Sequence, residues 1–226
     1  VPITFPPDRF GGLMLSAMGA PDLKGSQGTF TYYTSRGEGE RAHTGGAQVP
    51  VEREGNRVSS YIPGPGNPFR NDVPEMKIPF TLELLPGENA AILHIQGKNI
   101  RLRRGGYSPW VRFSFKALPG VKIRGVGRFL ILNLAPDFEM YLTPVNIDPE
   151  KPAMPISHPL FYSIYLSKLV GEYATLGEAE DTWALNEGVL DEDHFLEQCY
   201  TIYHERERMF FEALKKTRSG VCVCVF

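Results

Sequence analysis

Charge of one sign is missing from this chain: 24 basic residues stand against 26 acidic ones, a formal charge of −2 over 226 residues. That balance removes the electrostatic case for nucleic-acid or membrane-surface binding, each of which needs a basic footprint. Cysteine is scarce. The three present, Cys199, Cys222 and Cys224, are odd in number and lack framework spacing, which argues against a disulfide-stapled scaffold. Cys222 and Cys224 fall two apart in a predicted strand, side by side on one face, a poor geometry for a bridge. Reduced cysteines favour a cytoplasmic setting. No apolar run approaches the roughly 20 residues that a bilayer-spanning helix needs, and no signal peptide opens the chain. Nor does a Met: Val1-Pro2-Ile3-Thr4 reads as the interior of a longer polypeptide.

What is present points to a folded chain. A 42% hydrophobic share with 22% charged residues is enough to build a core, in one large domain or two small ones. The 23 glycines and 19 prolines exceed the average share, and the excess is concentrated before residue 76. Residues 1–76 are therefore expected to be loop-rich and to pack on a core, with Gly45-Gly46 and Pro63-Gly64-Pro65-Gly66 as turn signals. Leu13-Met14-Leu15 is the one short strand candidate there.

Residues 77–145 read as β. Phe80, Leu82 and Leu84 alternate with Thr81 and Glu83, and Val111, Phe113 and Phe115 with Arg112, Ser114 and Lys116. Val121 and Ile123 alternate with Lys122 and Arg124, while the run Phe129–Leu132 suits a fully buried strand. Turns at Pro86-Gly87, Gly105-Gly106 and Pro119-Gly120 separate short strands, as in an antiparallel sandwich or barrel-like insert. Residues 146–226 change character. Asn146–Ser157, with three prolines, reads as a linker. A helix is predicted over 159–170, with Leu160, Ile164, Leu166 and Leu169 towards its buried side. A longer one is predicted over 192–217: Asp191 caps it, and Phe195, Cys199, Ile202, Met209 and Ala213 form its buried face. Gly220 stops that helix, and Val221–Phe226 then reads as a central parallel strand covered on both faces. The class is α+β: a β-rich insert, then helices, then one strand of an α/β core.

Three local constellations bear on chemistry. His194 with Glu197, and His204 with Glu205, are the local clusters that hold histidine. His204 lies about 15 Å along the helix from His194, too far to share an ion, and polar helix surface is the plainer reading. Arg101, Arg103, Arg104 and Arg112 form a basic patch able to attract phosphate, against the alternative of a solvated strand and turn. Asp181, Thr182 and Trp183 lie in a Gly-bounded loop. There the indole suits ligand stacking and equally suits a plug on the core. Gln27 and Thr29, in another loop, are weaker substrate-facing candidates. Thr29 and Ser16 lack a neighbouring base that would make either a nucleophile.

Several long motifs carry a resemblance. Pro155-Ile156-Ser157-His158-Pro159, Thr175-Leu176-Gly177, Glu180–Glu187 and His204-Glu205-Arg206-Glu207 lie towards the end. Pro2–Pro7, Pro21-Asp22-Leu23, Gln27–Thr31 and Tyr141–Pro149 lie before them. Together the chain resembles an internal segment of the bacterial type I phosphodiesterase/nucleotide pyrophosphatase branch of the alkaline phosphatase superfamily. The resemblance implies a parent that hydrolyses phosphate mono- or diesters with two divalent metals, zinc or manganese. It also implies that the nucleophile and every metal ligand lie outside this segment, so no catalytic or metal residue is assigned here. On that reading the segment is an insertion or cap, inactive alone. Its partners are the rest of the parent core and, in the parent, a phosphoester, and Val221–Phe226 offers an edge for self-association. The alternative is a self-contained β-sandwich interaction module without catalysis. A following Asp-rich, His-containing stretch would favour the hydrolase over the module.

Overall fold

The computed structural model describes residues 5–7, 11–36, 45–70, 72 and 75–226. Pro2-Ile3-Thr4 and His43 lie outside them. Where hydrophobic residues alternate, strands form with one wet face. β6 (Lys77–Leu85) buries Ile78, Phe80, Leu82 and Leu84, and β9 (Val111–Leu118) buries Val111, Phe113, Phe115 and Ala117. β6 is the centre of an antiparallel five-stranded meander. Its other strands are β4 (Glu52–Glu54), β5 (Arg57–Pro63), β7 (Ala90–Ile95) and β8 (Lys98–Arg103). Gln96 and Gly97 join β7 to β8 with both φ angles positive, 48° and 77°. That is the two-residue hairpin geometry whose twist matches the strands it connects.

Residues 1–76, expected to be irregular, hold five strands among the described residues. These are β4, β5, β1 (Met14–Leu15), β2 (Phe30–Thr34) and β3 (Gly46–Pro50). β2 is central in a four-stranded sheet. It lies antiparallel to β12 (Glu139–Leu142), with Tyr32 opposite Tyr141, and parallel to β3, and β11 (Phe129–Asn133) completes the sheet. A strand buried on both faces shows no alternation, and its partner here is remote in sequence, so local pattern gave no signal. β9 pairs with β10 (Val121–Gly127), and β10 with β13 (Asn146–Ile147). Val121 does not face inward as expected, and Ile123 packs on the core only partly buried. The register shifts at Val121/Lys122, and burial begins only at Gly125.

One core runs between the meander, β9 and the four-stranded sheet. An aromatic chain threads it: Phe80 meets Tyr33 edge-on at 5.3 Å and Phe129 at 6.2 Å, and Phe129 meets Phe113 at 6.0 Å. Losing one such ring costs about 3–5 kcal/mol. The described residues are thus mixed α+β, mostly strand, in several sheets with three α-helices.

The stretch read as a linker is instead a seam. Residues 141–149 are all buried, and Asn146 Oδ1 accepts from the backbone N of Thr175 and Leu176 at 2.7 and 2.8 Å. β14 (Ser157–His158) pairs with β1. α1 (Phe161–Val170) then buries Tyr162, Ser163, Leu166 and Ser167, whereas Leu160 and Leu169 are exposed. The helix is turned so that its small serines lie inward, and Ser157 Oγ accepts from Ser163 N at 3.0 Å.

α2 (Thr182–Asn186) and α3 (Glu192–Lys216) follow. Asp191 caps α3 as expected, accepting from His194 N at 2.8 Å. α3 buries Ile202 and Met209, but with them Gln198 and Glu205, so Glu205 is not polar helix surface. The expected terminal strand is absent among the described residues: residues 221–226 enter no ladder. Phe226 lies instead against α3, its ring 5.5 Å from Tyr203 and 5.9 Å from Phe210. β propensity alone cannot hold a strand without a partner edge.

Candidate functional site

Asp181 organises the stretch that the sequence singled out as a loop, in which Thr182 and Trp183 instead open the helix α2. As N-cap of α2 it accepts from Ala184 N at 3.0 Å through Oδ1, and its Oδ2 accepts from the Tyr141 hydroxyl at 2.7 Å. Its own backbone N donates to Gln198 Oε1 at 2.7 Å, and Gln198 Nε2 donates to the Tyr141 oxygen at 3.2 Å. The Asp181 carboxylate therefore joins α2 to β12, and its backbone N ties both to α3 through Gln198. Only 6% of Asp181 is exposed. Burial pushes its pKa up to about 6, against the opposing pull of the Tyr141 and Ala184 hydrogen bonds. A carboxyl titrating there has the acidity of a general acid or base. With both oxygens engaged and little solvent access, it is positioned as a clamp.

The clamp turns its neighbours outward. Thr182 is exposed and Trp183 is 52% exposed. A core plug would be buried, so the indole is a surface feature. It leans on Gly45, where an added Cβ would come within 2.5 Å of Trp183 Cβ. Gly45 N donates to Glu187 Oε1 at 2.7 Å. The glycine permits this close approach of backbone to ring.

Gln27 and Thr29 are placed elsewhere. Thr29 belongs to a cage around buried Asp22: its N donates to Asp22 Oδ2 at 3.0 Å, and its hydroxyl lies 2.8 Å from Ser26 Oγ. Gln27 is exposed beside it. Apolar packing brings the two loops together, since Phe30 shares a buried cluster with Tyr141 and Ala184. No hydrogen bond among the described residues joins Thr29 or Gln27 to Asp181, Thr182 or Trp183. Ser16 is buried at 7% exposure, and its hydroxyl has no hydrogen-bond partner among the described residues.

A further buried carboxylate, on α3, escaped the sequence reading. Glu205 accepts from Trp110 Nε1 at 2.7 Å and from Ala174 N at 2.9 Å, and burial raises its pKa. Beside it, Arg128 donates from Nε to the Ser108 carbonyl at 2.8 Å and stacks over Tyr107 at 4.9 Å. Gln198 and Glu205 are seven residues apart, on one face of α3, a spacing that was the available signal. Arg101 of the basic patch pairs with Glu88, and Arg112 with Glu150 and Glu172.

Among the described residues no three His, Cys, Asp or Glu side chains gather as a metal-ion ligand set. The residues here do not fit the divalent pair that the resemblance implies for a parent. No helix is long and apolar enough to cross a membrane. Family models, characterised proteins and solved structures offer no match to the chain.

Proposed function

We propose that this chain is a non-catalytic docking unit, an insertion or cap of a metal-dependent phosphohydrolase whose nucleophile and metal ligands lie outside it. The carrying observation is the outer face of α3. Leu196, Tyr200, Tyr203, Phe211 and Leu214 are all exposed, and their spacing sets them on one side of the helix, opposite buried Ile202 and Met209. Phe161, Tyr165 and Leu169 extend the apolar surface along α1, and Val221, Val223, Val225 and Phe226 extend it further. So many exposed large apolar side chains on neighbouring elements mark a contact site. The occupant that fits is an apolar sheet layer of the parent core, with Val221–Phe226 entering its edge. In that setting Trp183 stands at the rim of the unit as its substrate-facing side chain.

Hydrogen exchange tests the docking. Amides of Val221–Phe226 should exchange within seconds in this chain and be strongly protected in the full-length protein. Equal exchange in both refutes it. A chromogenic phosphodiester with added zinc or manganese tests the non-catalytic role. Turnover by this chain alone, abolished by chelator, overturns it.

A further inference from the structure

A cavity of about 420 Å³ lies between the end of β8, β11 and the first turn of α3, lined by Asn89, Arg104, Gly105, Leu132, Asp191 and His194. Arg104 differs from the arginines of the basic patch that are neutralised. Its Nε donates to the Leu132 carbonyl at 3.0 Å and its backbone N to Asn89 O at 3.0 Å. The guanidinium is thereby fixed, while its two terminal nitrogens have no partner among the described residues. No carboxylate among those residues lies within 4.0 Å of it.

His194 reaches the same cavity from α3. Its Nδ1 lies 2.6 Å from Asp191 Oδ1, which leaves Nε2 as the nitrogen turned towards Gly105, 3.8 Å from where a Cβ there would stand. Gly105 has φ +73°, and with no side chain it leaves the imidazole edge open. The Asn89 side chain makes no hydrogen bond among the described residues. Asp191 already caps α3, so the helix end itself contributes little, and the site rests on side chains.

We propose that this cavity binds a small phosphorylated ligand, its phosphate held between the terminal nitrogens of Arg104 and Nε2 of His194, with the Asn89 amide donating a third bond. A guanidinium fork matches two phosphate oxygens, and the volume falls in the range of small-molecule sites. Asp191, at the rim with one oxygen spent on His194, disfavours a bare polyanion. It matches a hydroxyl or ammonium next to the phosphate, so the ligand class is a phosphomonoester bearing such a group. The site requires nothing of the docking reading.

The test is ¹H–¹⁵N spectroscopy of the chain at constant ionic strength, titrated with inorganic phosphate, glycerol 3-phosphate or acetate. Saturable shifts are expected at the Arg104 Nε–H, the Gly105 amide and the His194 ring, with glycerol 3-phosphate binding more tightly than phosphate and acetate weakest. Arg104→Ala should weaken binding about tenfold, and Arg104→Lys should recover part of that, since it keeps the charge and loses the fork. Arg101→Ala should change nothing. His194→Ala and Asn89→Ala spare the Arg104–Leu132 bond and should each weaken binding about threefold, even if Arg104→Ala misfolds. Shifts that do not saturate, equal losses from Arg101→Ala and Arg104→Ala, or acetate binding as tightly as phosphate would each overturn the assignment. None of these outcomes touches the exchange behaviour of Val221–Phe226.

Discussion

Tyr141 and Asp181 meet in the interior, phenol to Oδ2 at 2.7 Å, and through that bond a strand of the four-stranded sheet holds the cap of a helix 40 residues away in sequence. Both groups are out of water, so the pair is governed by desolvation, which disfavours the ionised carboxylate.

The first prediction concerns pH. The folded-state pKa of Asp181, about 6, lies above an ordinary aspartate near 3.8, so between those values the folded chain holds more proton than the unfolded one. Stability is then greatest below the lower value and falls as pH rises through the upper one, by about 3 kcal/mol for this group. Asp181→Asn should remove that slope. Denaturant melts at pH 4.5 and 7.5 check it, and an identical pH response in both proteins would refute the burial argument. Glu205 is raised in the same direction, so the difference between the two proteins is the quantity to read.

Tyr141→Phe takes the donor from Asp181 Oδ2 and leaves Gln198 Nε2 without its acceptor. An unsatisfied buried partner costs about 1–3 kcal/mol. The pH slope should steepen, because the lost hydrogen bond favoured the ionised form. A mutant as stable as wild type with an unchanged slope would show that the bond contributes nothing.

Legibility in the sequence followed the physics of each element. β6 and β9 were readable because each packs one face on the core, so Phe80 and Phe113 repeat with period two. β2 was not, because Phe30, Thr31, Tyr33 and Thr34 are all buried and their partners come from β12. The start of α3 was clear from Asp191. The helix ends at Lys216 with Thr217 as its cap, short of the Gly220 expected to stop it, and its inner face was not legible. Gln198 and Glu205 are polar residues whose partners, Tyr141, Trp110 and two backbone amides, come from distant elements. The Asp181 loop was visible as a motif. Whether its Trp pointed in or out depended on Gly45, which no local pattern connects to it.

Glu205 supplies a sharper test of that hidden inner face. Trp110→Phe retains most of the ring but deletes the Nε1–H that Glu205 Oε1 accepts at 2.7 Å. The expected loss is about 1–3 kcal/mol, larger at pH 8 than at pH 5, since protonation relieves the stranded carboxylate. A loss independent of pH would mean the carboxylate finds another donor.

Removing residues 221–226 should make the chain better behaved. Val221 is 87% exposed, and Val223, Val225 and Phe226 are exposed with it, in a segment without charge or proline that invites edge pairing between copies. Light scattering should show fewer oligomers after the deletion, with melting little changed. Oligomers that persist in the truncated chain would place the adhesive surface on α1 and α3 alone.

Trp183 separates a surface role from a packing role most cleanly. Were the ring a core plug, Trp183→Ala would cost about 3–5 kcal/mol. At 52% exposure it loses only about half of that burial, so about 1–2 kcal/mol is expected, recovered chiefly from contact with Gly45. The Asp181 clamp should be untouched, because both carboxylate oxygens bond elsewhere. If the proposed parent presents this rim to its substrate, the same change in the full-length enzyme should lower kcat/KM about two- to tenfold, the worth of one stacked aromatic contact. Melting and kinetics on one variant give distinct outcomes. A stability loss above about 3 kcal/mol contradicts the exposed placement. A small loss with unchanged kcat/KM leaves the placement standing and removes Trp183 from the substrate path. A small loss with the expected kinetic defect supports the indole as a contact made in the transition state, set at the rim by a buried acid beneath it.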